Sequence, residues 1–251
     1  MSLIEKTPSA YAYPLLIKQL LHTPLAHSPN QEIVYRDLIR YTYRDLRNRI
    51  GRLANGLAEL GIKEGDTVAM MDWDSHRYLE CFFAIPMMGA VLQTVNIRLS
   101  AEQMLYTLNH AEAVVVLVNA EFLPLLEVIQ DRLETAKKFV LISDSKDSAV
   151  TSVPMETDYE SLLAAASADY VFPDFDENTR ATIFYTTGTT GSPKGVYFSH
   201  RQLVLHTLSE LAAMGMPSNE GGYITKMCTC RSRRCFTFTP GVFPTPALWR
   251  G

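Results

Sequence analysis

The chain has 251 residues, 47% of them hydrophobic and 20% charged, enough for one large or two modest domains around a sizeable core. Its formal net charge of −4 shows no basic surplus of the kind that marks nucleic-acid or anionic-membrane binding, so any phosphate chemistry has to be local. No stretch approaches the ~20 consecutive apolar residues of a membrane span, residues 1–13 lack the plan of a signal peptide, and only Cys81 of the four cysteines precedes Cys228; together these predict a reduced, cytoplasmic setting.

In chain order, residues 42–60 give the clearest helix. Leu46, Ile50, Leu53, Leu57 and Leu60 fall on one face, Thr42 suits the N-cap, and Gly61 can end it. A polar turn at residues 63–66 leads into residues 67–71, a short apolar run that reads as a buried strand. The pattern then repeats: helix over 75–88 and strand over 90–95, helix over 100–110 and strand over 114–118, helix over 121–133 and strand over 139–143. Residues 144–157 are rich in Ser, Asp, Lys and Thr and predict a surface loop before a short helix over 159–166. Helices alternating with apolar strands predict an α/β fold, a mostly parallel sheet flanked by helices.

The strongest local signal follows. An apolar strand, Ile183-Phe184-Tyr185, runs into Thr186, Thr187, Gly188, Thr189, Thr190, Gly191, Ser192, Pro193 and Lys194, and a second apolar stretch begins after Gly195. Glycines let backbone N–H groups converge on an anion, the hydroxyls add donors, and the lysine supplies a compact positive charge. Taken by its composition, the same run also suits a polar hairpin linking two strands. The Gly-x4-Gly-Lys-Ser/Thr phosphate loop is excluded, because Pro193 precedes the lysine and Gly195 follows it.

Residues 185–196 resemble the phosphate-loop signature of the adenylate-forming superfamily, which includes acyl-CoA synthetases, luciferases and peptide-synthetase adenylation domains. The resemblance extends across most of residues 30–215. Residues 41–46 look like the family's opening motif and residues 88–100 like its second, while the Asn96-Ile97-Arg98-Leu99 ending and residues 103–110 look most like medium- and long-chain fatty-acyl-CoA synthetases. It implies that Thr186, Thr187, Gly188, Thr189, Thr190, Gly191, Ser192 and Lys194 hold the β- and γ-phosphates of ATP. A fatty-acid carboxylate would then attack the α-phosphorus, pyrophosphate would leave, and the acyl-adenylate would meet coenzyme A. Magnesium is implied as well, with its ligands elsewhere, since the loop offers no carboxylate.

Other residues carry weaker signals. Asn96 and Arg98 lie just past a predicted strand's C-terminal end, where α/β proteins often bind ligands, and they equally suit a structural role. His76, His110 and His200 read as helix-end or surface histidines, and the pairs Met70-Met71 and Met87-Met88 as core. No catalytic role is assigned to any of these.

After Tyr223 the character changes, with Cys228, Cys230 and Cys235 among three arginines. Three thiols without a nearby histidine make a poor tetrahedral zinc site. Back-translating residues 227–241 and reading one nucleotide earlier permits Val-Tyr-Met-Pro-x-Thr-Pro-Met-Phe-His-Val-His-Ala-Trp-Gly, which resembles what fatty-acyl-CoA synthetases carry at this distance from the phosphate loop. The expectation is therefore a partial N-terminal domain over residues 1–223, an out-of-frame tail over 224–251, and no C-terminal catalytic domain. Such a piece is expected to be inactive by itself and to self-associate through exposed strand edges. The alternatives are a non-catalytic nucleotide-binding fragment and a pseudogene product.

Overall fold

The computed structural model describes residue 5 and residues 7–144, 151–186 and 192–215, with side chains to residue 212. A 3-10 turn (Ile17–Leu21), which puts Ile17 and Leu21 into the core, a short α1 (His22–His27) and an antiparallel hairpin of β1 (Glu32–Tyr35) and β2 (Ile39–Thr42) precede α2 (Tyr43–Glu59). Helix α2 starts where Thr42 and Asp45 cap one another: the Thr42 hydroxyl accepts from the Asp45 amide, and the Asp45 carboxylate accepts from the Thr42 amide. It stops at Gly61, whose φ of +89° is the left-handed turn glycine adopts without strain. Along its inner face Leu46, Ile50, Leu53 and Leu57 are buried, and each such side chain contributes about 1.5–3 kcal/mol.

The remaining elements build one sheet. They are β3 (Thr67–Met71), α3 (His76–Met87), β4 (Val91–Thr94), α4 (Ala101–His110), β5 (Ala113–Asn119), α5 (Leu123–Ile129), β6 (Lys138–Ile142), β7 (Met155–Asp158), α6 (Tyr159–Ala165), β8 (Arg180–Thr186), β9 (Lys194–Ser199) and α7 (His200–Gly215). The strand order is β7-β6-β5-β3-β4-β8-β9, parallel throughout except for β9, which runs antiparallel to β8.

From β3 the chain steps one way to β4, then back across β3 to β5. Because crossovers between parallel strands are right-handed, this reversal puts α3 and α4 on opposite faces. Val68, Met70, Leu92 and Leu117 pack on one face with α2, α3 and α6, and Ala69, Met71, Val116 and Val118 pack on the other with Met104 and Leu108 of α4 and Leu126 of α5. With both faces covered, β3 is buried at all five positions and carries no polar alternation.

The α/β architecture expected from the sequence is the one found, and both methionine pairs lie in the core. Three differences have physical causes. Residues 155–157, expected within a surface loop, form most of β7, because pairing with β6 supplies order that a short polar stretch does not announce. The helix expected over residues 121–133 is α5 flanked by separate 3-10 turns; Pro124, in its first turn, has no N–H to carry the hydrogen-bond ladder backwards. His76 and His200 stand at helix starts as expected, yet both are buried. Among the described residues no helix is long and apolar enough to cross a membrane.

Candidate functional site

Strand β8 is buried at its five central positions and exposed at both ends, so it delivers its last residue, Thr186, from the core to the surface. Its neighbour β9 returns in register, Tyr185 opposite Gly195 and Thr186 opposite Lys194. The predicted phosphate-binding run therefore connects two strand ends that are paired at Thr186 and Lys194. Thr187, Gly188, Thr189, Thr190 and Gly191 lie outside the described residues. Of the rest, Thr186, Ser192 and Lys194 are exposed and Pro193 is buried. The Thr186 hydroxyl stands 3.5 Å from the Lys194 carbonyl oxygen, across the open end of the hairpin.

This tip lies at the C-terminal end of β8, and hence beside the C-terminal ends of the parallel strands, where connections diverge to opposite faces and open α/β sheets bind ligands. The loop after β4, the strand next to β8, holds Asn96 and Arg98; Asn96 accepts from the Arg98 amide at 3.1 Å, and both side chains are exposed. Beyond β3, buried Asp72 accepts from the Ser75 hydroxyl and the Asn119 amide, each at 2.6 Å, and from the Trp73 amide at 2.8 Å. Burial pushes the Asp72 carboxyl up; burial and then the nearby Asp72 charge raise Asp74 to about 6.

Two exposed hydroxyls and an ammonium at one hairpin end fit the terminal phosphates of a nucleotide, where donors and one mobile cation offset spread negative charge. Magnesium is different: among the described residues no group of three or more His, Cys, Asp or Glu is placed to hold a metal. Two features escaped the sequence reading. One is a hydrogen bond at 2.8 Å between Tyr185 and His110, residues 75 positions apart. The other is a partly buried ion network in which Arg49 grips the buried Glu80 at 2.7 Å, Tyr159 donates to Glu80 at 2.8 Å, and Arg77 pairs with Asp144 at 2.7 Å and Glu160 at 3.1 Å. Neither has a local signature, since each joins residues that only the fold makes neighbours.

The fold defines a class: an open, mostly parallel α/β sheet with helices on both faces, in which a Gly/Thr/Ser run ending in a lysine connects β8 to β9. Residues 21–230 match the model of the AMP-binding enzyme family, and the chain belongs to that family. It is 36% identical over 200 residues to the 3-methylmercaptopropionyl-CoA ligase of Ruegeria lacuscaerulensis, covering 78% of this chain and 37% of that protein. It is 39% identical over 194 residues to the long-chain-fatty-acid–CoA ligase of Thermus thermophilus, covering 76% and 34%. Among solved structures it resembles an anthranilate CoA ligase in complex with anthranoyl-AMP, with a TM-score of 0.70 and 25% identity over 78% of this chain and 37% of that one. The relatives are acyl-CoA ligases acting on different acids, and the chain spans a little over a third of their length.

Proposed function

We propose that this chain is the ATP-phosphate-gripping portion of a medium- or long-chain fatty-acid–CoA ligase. The whole protein would convert carboxylate and ATP to acyl-adenylate and pyrophosphate, and then form a thioester with coenzyme A. The observation that carries the reading is the register of β8 and β9, which brings Thr186 and Lys194 together at the exposed end of the hairpin, with Ser192 in the connection. There Lys194 would neutralise charge on the β- and γ-phosphates while the Thr186 and Ser192 hydroxyls and the loop amides orient them. Positioning and charge neutralisation are most of what such transfers need from a protein. Thr187, Gly188, Thr189, Thr190 and Gly191 are proposed to complete the grip. Magnesium would come with ATP, and no step is assigned to protein ligands for it.

The medium- or long-chain preference is supported by residues 96–99 and 103–110, and a cytoplasmic setting by Cys81, a free buried thiol among the described residues. By itself the 251-residue chain is proposed to bind nucleotide without turnover, which its coverage of little more than a third of each relative supports. An out-of-frame tail over residues 224–251 is proposed from the reading that residues 227–241 permit one nucleotide earlier; the family match ends inside that stretch, at residue 230. Self-association of the isolated chain is supported by edge strand β9 and by Leu205, Leu208 and Leu211, exposed on α7. Sedimentation of a Leu211→Lys variant tests it.

The deciding experiment is ATP binding by the purified chain. Lys194→Ala is expected to weaken it by about tenfold or more, the share of one charge-assisted contact. Equal binding by the variant would remove the hairpin from the ATP site.

A further inference from the structure

Tyr185 is the residue before Thr186, and Gly195 the residue after Lys194; they face one another across β8 and β9. A Cβ added to Gly195 would stand 3.2 Å from Tyr185 Cε1 and 3.3 Å from Cζ, so the ring lies directly against the β9 backbone and any side chain at 195 would displace it. The far end of the same ring meets α4. Its hydroxyl lies 2.8 Å from Nδ1 of His110, the last residue of that helix, and the two rings meet edge to face with centroids 5.7 Å apart. His110 in turn lies beside Tyr106, centroids 5.4 Å apart.

Helix α4 is a firm anchor. Met104, Leu105 and Leu108 are buried in the sheet's second face, and Gln93 of β4 donates to the Thr107 carbonyl at 3.1 Å. Strand β9, by contrast, pairs with β8 alone among the described residues. A continuous bracket therefore runs from the core through α4 and His110 to the Tyr185 ring, and from the ring to both hairpin stems.

We propose that His110 is a positioning residue that fixes both stems of the hairpin through the Tyr185 hydroxyl. It thereby sets where Thr186 and Lys194 point; a site held by such a supporting contact spends less of its binding energy on ordering itself. That role in ATP binding rests on the phosphate reading given above, whereas the bracket itself does not.

The test uses the 251-residue chain and its Tyr185→Phe, His110→Ala and His110→Asn variants. It measures amide hydrogen exchange in residues 181–186 and 194–199, magnesium-ATP binding, and the thermal midpoint. Tyr185→Phe and His110→Ala are each expected to speed exchange at the stem amides and weaken ATP binding by about fivefold, the share of one hydrogen bond, while exchange in β3 and β5 stays as it was. The double variant should be no worse than either single one, because both remove the same contact. His110→Asn, whose amide can stand where Nδ1 stood, should keep most of the protection. Unchanged stem exchange in Tyr185→Phe and His110→Ala would overturn the proposal, and so would exchange that rises equally in β3 and β5. Stem exchange that depends on His110, in a chain that binds no ATP, would uphold the bracket and refute the phosphate reading.

Discussion

His200 is fully buried at the first position of α7, where its Nδ1 accepts from the Ile17 amide at 3.2 Å and its ring meets Phe175 at 4.9 Å. Burial lowers its pKa to about 4, against a partly opposing contact with the Pro86 backbone. The folded value lies below the ordinary value of about 6.5, so the neutral ring's contribution is complete above that value and is lost as pH falls through about 4. From about pH 7 to about pH 5.5 the chain is expected to lose roughly 1 kcal/mol from this residue, read as a fall in the urea midpoint. A His200→Asn variant should flatten that slope. Gly51 makes a different residue-scale case. A Cβ there would lie 2.1 Å from the Ala168 carbonyl oxygen, a backbone atom, although alanine is the better helix former by about 1 kcal/mol. The clash is expected to win, with Gly51→Ala destabilising by about 1–3 kcal/mol in denaturant titration.

Between elements, the partly buried ion network joins α2, α3 and α6 and reaches Asp144 just past β6. Glu80 has no exposed surface and is held by Arg49 and Tyr159, so Glu80→Ala leaves the buried Tyr159 hydroxyl without its carboxylate and Arg49 with Glu160 alone. A loss of about 2–3 kcal/mol is expected in chemical unfolding, above the ~1 kcal/mol expected for removing the α2 cap with Thr42→Ala. The cap was legible in the sequence because Thr42 and Asp45 act within one turn. The network was not, since Arg49, Glu80 and Glu160 meet only after three helices have packed. β7 escaped for the same reason, its order coming from β6.

At the scale of the molecule, the described fold stops at a sheet edge, with β9 paired on one side and leucines of α7 exposed. A gene with the frame restored between codons 222 and 227 is expected to encode a protein that catalyses ATP–pyrophosphate exchange with fatty acids, whereas the 251-residue chain should not. Resequencing that interval checks the premise; an undisturbed frame there would refute the frameshift.

The α/β class and the parallel sheet were readable from residues in order, because apolar periodicity and helix caps are local patterns that physics interprets locally; the run from Thr186 to Lys194 stood out by composition, and its proposed role came from the family resemblance. Only the tertiary structure decided that Thr186 and Lys194 close one hairpin tip, that His110 reaches Tyr185, and that His76 and His200 are buried. Those facts depend on which strands pair and which faces are covered, and long-range packing sets both.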